Sequence, residues 1–336
     1  MRSKTTGIRY LAISMVATIA LLTAACGNQS NNTNTGGNAE QDGKLSVVTS
    51  FYPLYFLAKE IGGEHVSVVN LVAAGVEPHD WTPKSRDLST ASNANLFLYH
   101  GAGLEGWVED FQKGLSKDSG VAVKEMSEGI ALIHAEEAEQ EHEGEEVHEG
   151  EEEHEGEEGH DHEGMDPHTW VSPKSALVLA ENIKNSLVEA DESHKADYEQ
   201  NFAALQDKLV AIDEEYTSEL AGASKKDIVV SHQAFGYLAR DYGLNQVAIM
   251  GLSPEAEPRA QDLLEITKFV EENDVSVIFF EELVSDSLAK TLADEADVET
   301  LVLNPMEGLT SDQEKAGESY LSLMERNLQN LMQALQ

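Results

Sequence analysis

A single cysteine in 336 residues leaves no partner for an internal disulfide, so the fold must rest on its apolar core. Basic residues are scarce too. The 22 Lys and Arg stand against 62 Asp and Glu, a formal net charge of −40. That balance argues against nucleic acid and against acidic surfaces as partners, because both repel a polyanion. Long hydrophobic runs are also missing. The run from Tyr10 to Leu22 falls short of the roughly 20 residues that a membrane-spanning helix needs. What remains is a chain with 41% hydrophobic residues, long enough beyond Cys26 for two domains of ordinary size.

The start of the chain has the layout of an export signal. Arg2, Lys4 and Arg9 precede the Tyr10–Leu22 run, and small residues follow it up to Cys26. A lone cysteine at this position resembles a bacterial lipobox, whose thiol is acylated after export. Thr23 stands where such a box usually has Leu, with Leu22 one place earlier. The expectation is a signal peptide over 1–25 and a mature protein outside the cytoplasm, anchored to the membrane through lipid on Cys26. The segment 26–43 is rich in Asn, Thr, Gly and Gln and reads as a flexible tether.

Beyond the tether, apolar runs alternate with helical periodicity. Strands are expected at Leu45–Thr49, Val66–Val72, Asn95–Tyr99 and Val121–Val123. Helices are expected at Pro53–Ile61, Ser85–Ala91 and Leu104–Leu115. Ser172 and Pro173 open a helix as cap and first residue. A second helix runs from about Ser193 to Leu220, with Tyr198, Phe202, Leu205, Leu209, Ile212, Tyr216 and Leu220 along one stripe, and Gly222 ends it. Strands follow at Ile228–Ser231, Val247–Ile249, Val277–Phe280 and Thr300–Leu303. Helices follow at Ala234–Tyr242, Arg259–Asn273, Ser287–Ala296 and Glu314 to about Leu335. This alternation predicts an α/β fold of two open, mostly parallel four-stranded lobes, 44–190 and 223–336, with flanking helices, joined by a long rigid helix over 191–222.

In open α/β sheets, ligands bind beyond the carboxyl ends of the strands. Four coordinating side chains fall in such loops: His79 after the second strand, His168 before the Ser172-capped helix, His232 after Ile228–Ser231, and Glu307 after Thr300–Leu303. Pro78 and Pro167 stiffen the loops that aim the first two rings. Three imidazoles and a carboxylate suit tetrahedral Zn2+, and contributions from both lobes place the metal in the cleft between them.

Glu77-Pro78-His79-Asp80-Trp81, Asp166-Pro167-His168-Thr169-Trp170-Val171-Ser172-Pro173 and Ser231-His232-Gln233-Ala234-Phe235-Gly236-Tyr237 together resemble the metal-binding lipoproteins of bacterial ABC importers, above all their zinc-uptake branch. Gly103-Leu104-Glu105-Gly106-Trp107 resembles a further stretch of that family, and the likeness covers about Leu45 to Leu335. It implies metal binding by His79, His168 and His232, with an acidic fourth ligand after the last strand, best matched by Glu307. Glu281 and Glu282 are rivals for that place, as are Glu77, Asp80 or a water. It also implies an ABC permease as partner, with the protein acting as a monomer. Relatives that carry manganese or iron tend to have a carboxylate at the third position, where this chain has His232.

From 134 to 163 the chain holds many Glu, one Asp and no Lys or Arg, with His134, His142, His148, His154, His160 and His162 spaced among them. The tract is expected to be disordered without ligand and to serve as an auxiliary, low-affinity zinc collector. His65, His100 and His194 are read as structural or surface residues, and Trp81, Trp107 and Trp170 as walls of the cleft. The expected function is extracytoplasmic zinc capture and delivery to a permease, without catalysis. The alternatives are a manganese or iron carrier, a zinc-binding adhesin or a zinc hydrolase. A hydrolase would keep an open metal position, and no His-Glu-x-x-His motif is present.

Overall fold

The computed structural model describes residues 43–116, 119–134, 164–254 and 258–336. The expected signal peptide, Cys26, nearly all of the tether, and His142, His148, His154, His160 and His162 lie outside them.

The first lobe's sheet contains β1 (Leu45–Thr49), β2 (Val66–Asn70), β3 (Leu96–Tyr99) and β4 (Ala122–Glu125), in the order β2-β1-β3-β4. The second lobe's sheet contains β5 (Asp227–His232), β6 (Asn245–Met250), β7 (Val277–Phe280) and β8 (Glu299–Val302), in the order β6-β5-β7-β8. Every pairing is parallel. In each sheet the winding reverses at its first strand, β1 or β5, and such a switch point opens a crevice at the strands' carboxyl ends.

Helices α1 (Tyr52–Gly62), α2 (Ser85–Ser92) and α3 (Val108–Gly114) belong to the first lobe. Then come α4 (Pro173–Ala190) and the long α5 (Lys195–Ala221), which at 27 residues runs for about 40 Å. The second lobe adds α6 (Gly236–Tyr242), α7 (Ala260–Glu272), α8 (Ser287–Ala296), α9 (Ser311–Ala316) and α10 (Tyr320–Ala334). Along α5 the stripe from Tyr198 to Leu220 is buried except for Phe202, which is half-buried under the Lys184 ammonium. That stripe joins Leu54, Leu57 and Ile61 of α1, Ile183 and Leu187 of α4, and Leu328 and Leu331 of α10 in one apolar cluster. Smaller clusters cover the outer faces of the two sheets. The long helix is therefore packed against both lobes, which share a core.

Three expectations need correction. The helix read from Leu104 begins only at Val108. The buried Glu105 carboxylate accepts the backbone N–H groups of His100 (2.8 Å) and Gly101 (3.0 Å). Gly101, Ala102 and Gly103, just before Leu104, all take positive φ, and the turn they form brings those backbone groups onto Glu105. The helix read from Glu314 to Leu335 is two, α9 and α10, parted at Gly317 (φ 77°), with the Ser319 side chain capping the second. Ser172 stands at the N-cap of α4, but its hydroxyl donates to Asp241 (2.5 Å) instead of capping.

Candidate metal centre

His232 is the last residue of β5, at the switch point of the second sheet. Its Nδ1 lies 2.6 Å from Glu281 Oε1, at the end of neighbouring β7, and the same oxygen receives the His232 backbone N–H. His168 sits in the turn before α4. Its backbone N–H and its Nδ1 both reach Asp166 Oδ1, at 2.9 and 2.8 Å. That turn is held from two sides: His100 Nε2 is 2.8 Å from the Pro167 carbonyl, and the Tyr237 hydroxyl donates to the Asp166 carbonyl. His79 lies in the loop after β2, where its backbone N–H donates to Glu77 Oε1. Glu307 lies in the loop after β8 and is 1% exposed.

These four side chains converge. His168 Nε2 is 3.1 Å from His79 Nε2 and 3.3 Å from His232 Nε2. Glu307 Oε1 is 3.2, 3.4 and 3.7 Å from the Nε2 atoms of His79, His168 and His232. Ligands about 2.0–2.1 Å from a tetrahedral zinc stand about 3.3–3.4 Å from one another. The observed separations bracket that edge. Among the described residues this is the one group of three or more His, Cys, Asp or Glu arranged to hold a metal ion.

Hydrogen bonding suits these residues to a cation. A neutral imidazole that donates through Nδ1 presents a lone pair at Nε2. The carboxylates of Asp166 and Glu281 favour that arrangement in His168 and His232, so each ring, once neutral, turns its Nε2 lone pair to the centre. Glu307 Oε2 is buried without a hydrogen-bond donor. Burial pushes the His168 pKa down, but its bonds with Asp166 and Glu307 outweigh burial and raise it to about 9. Burial would raise the pKa of Glu307, yet His168 and His79 hold it well below the usual carboxylate range. Glu77 is pushed up to about 9, first by burial and then by the charge of Glu307.

The rival acidic residues fall elsewhere. Glu281 binds the outer nitrogen of His232, Glu282 is exposed and bonds Asn304 and Gln313, Glu77 supports the His79 backbone, and Asp80 is exposed. His134 is exposed and its backbone pairs with Met165. His65 and His194 stack on each other, with ring centroids 3.9 Å apart, and each reaches an Asp carboxylate. Trp170 packs 5.3 Å from the His168 ring, whereas Trp81 and Trp107 pack on each other. The supporting roles of Asp166 and Glu281 were not legible in sequence. The nearest signal was an acidic residue two places before one histidine and at the strand end beside another.

Two parallel α/β lobes, bridged by one long helix and holding an inward-facing His and Glu cluster, define the helix-linked class of two-lobed solute-binding proteins. Residues 47–334 match the family model described as zinc-uptake complex component A, periplasmic, and the chain belongs to that family. It is 40% identical to the zinc-binding lipoprotein AdcA of Streptococcus pneumoniae over 326 residues, 97% of this chain and 61% of that protein. The chain thus spans about three-fifths of that relative's length. It is also 40% identical to the high-affinity zinc uptake system protein ZnuA of Bacillus subtilis, over 97% of this chain and 98% of that protein. Among solved structures, the Zn(II)-bound ZnuA-like domain of S. pneumoniae AdcA superposes with a TM-score of 0.72 at 39% identity, covering 87% of this chain and 99% of that domain.

Proposed function

We propose that the protein captures Zn2+ outside the cytoplasm and hands it to an ABC permease for import. The observation that carries this is the convergence of the four inward-facing atoms, with separations of 3.1–3.7 Å measured for five of the six pairs, around the edge length of a zinc tetrahedron. Relatives named for zinc binding and zinc uptake support it. In this reading His79, His168, His232 and Glu307 are the ligands. His79, at 12% side-chain exposure against 1% or less for the others, lies on the side from which metal enters. Three imidazoles favour zinc over manganese, which prefers a set richer in oxygen. Four protein ligands leave no open position for an activated water, and this separates a carrier from a zinc hydrolase. The protein acts as a monomer, tethered to the membrane by lipid on Cys26. It engages no nucleic acid, consistent with its charge.

The tract from His134 through His142, His148, His154, His160 and His162 serves in this reading as a weak collector that feeds the cleft. Zinc titration of the mature chain tests both roles. One tight site and several weak ones are expected, and deleting Glu136–Glu163 removes only the weak ones. If the deletion abolishes the tight site, the tract supplies its ligands and the assignment to the cleft is wrong.

A further inference from the structure

Glu307 is reached through a loop that regular structure does not hold. Leu303 makes the last sheet bond, donating to the Phe280 carbonyl. Side chains then take over. Asn327, on α10 and 2% exposed, receives the Asn304 backbone N–H on Oδ1 (2.9 Å) and donates Nδ2 to the Asn304 carbonyl (2.7 Å). One primary amide thus does what a neighbouring strand would do for that residue. Asn304 in turn accepts the Met306 N–H on its own Oδ1 (2.7 Å) and donates to Glu282, and the Pro305 carbonyl receives Trp170 Nε1 (2.7 Å). Met306 has φ 60°, a conformation a residue with a side chain keeps only where its surroundings fix it. Glu307 comes next, with its carboxylate turned back into the cleft.

We propose that Asn327 is a positioning residue for metal binding: by clamping Asn304 it holds the turn at Met306 that aims Glu307 at the ion. This rests on the reading of Glu307 as a ligand. The side chain needs both a donor and an acceptor at one place. Leucine, with the same branching but larger, supplies neither, and serine supplies only part.

A double-mutant cycle tests the proposal, with Zn2+ affinity measured by chelator competition and Co2+ as a probe whose visible absorption reports the ligand set. Asn327→Leu is expected to lower Zn2+ affinity by about 10- to 100-fold, the usual cost of losing an outer support of a metal ligand. It should also move the Co2+ spectrum toward that of Glu307→Ala. In the Glu307→Ala background the same substitution should leave affinity unchanged. Asn327→Ser, a milder change that covers the case in which leucine prevents folding, should act in the same direction by a smaller factor. Unchanged affinity in Asn327→Leu, where Glu307→Ala does weaken binding, would overturn the inference alone. So would an equal loss in both backgrounds, since Asn327 would then act through the fold at large. If Glu307→Ala alters neither affinity nor spectrum, the ligand reading falls and the inference with it.

Discussion

His168→Ala should lower zinc affinity by more than about 100-fold, beyond the roughly 10- to 100-fold that the loss of an outer partner costs. His168 lies at the middle of the cluster: its Nε2 is within 3.4 Å of His79, His232 and Glu307, and it is fully buried. The substitution acts on the metal-free protein as well. The carboxylates of Asp166 and Glu307 would stay buried without the ring that now faces both. Breaking a buried charge pair from one side costs about 3–5 kcal/mol. Metal-free His168→Ala should therefore melt earlier than the parent, and zinc should no longer raise its melting temperature, because a ligand stabilises only the state that binds it. Thermal unfolding with and without zinc reads both effects. Zinc affinity within tenfold of the parent would remove His168 from the coordination sphere.

Zinc affinity should rise steeply with pH up to about 9. Metal-free His168 keeps its proton to about 9, because its bonds with Asp166 and Glu307 outweigh burial. Zinc needs the Nε2 lone pair, so below that pH binding must expel a proton. From this group alone, apparent affinity gains about tenfold per pH unit and levels off above about 9. The same proton acts in the opposite direction on the metal-free fold. A pKa raised above the unfolded value of about 6.5 gives stability that is complete below about 6.5 and is lost as pH rises through about 9. Over that window metal-free protein should lose stability while zinc-loaded protein, already deprotonated at His168, does not share the loss. Competition titrations at several pH values, paired with melting curves, measure both trends. A flat affinity between pH 6 and pH 9 would contradict them.

Much of the architecture was legible because the determinants are local. Val277–Phe280 and Ser287–Ala296 appear with the boundaries their apolar patterns suggest, and the Tyr198–Leu220 stripe marks the long helix. The misses have causes distant in sequence or hidden in backbone conformation. Leu104 continues a helical pattern, but Glu105 is engaged by backbone groups at His100 and Gly101. Gly317 interrupts a periodic stretch because its left-handed backbone ends α9. At the centre, His79, His168, His232 and Glu307 stood out because strand-end loops and Pro-His turns are visible in one dimension, and the resemblance of three motifs to a known family pointed the same way. Glu307 was the better match for the fourth ligand, but Glu281, which also follows a β-strand, stayed a rival. Only packing of β7 beside β5 turns Glu281 to the outer nitrogen of His232. Asn327, 23 residues beyond the Asn304 it clamps, carries no sequence signal at all.

The most direct measurement is X-ray absorption and crystallography of the zinc-loaded mature protein. The expected result is one ion in the interlobe cleft, bound by Nε2 of His79, His168 and His232 and by a Glu307 oxygen, at about 2.0–2.1 Å for nitrogen and about 2.0–2.2 Å for oxygen. An ion held with any of those four side chains outside its coordination sphere would contradict the account.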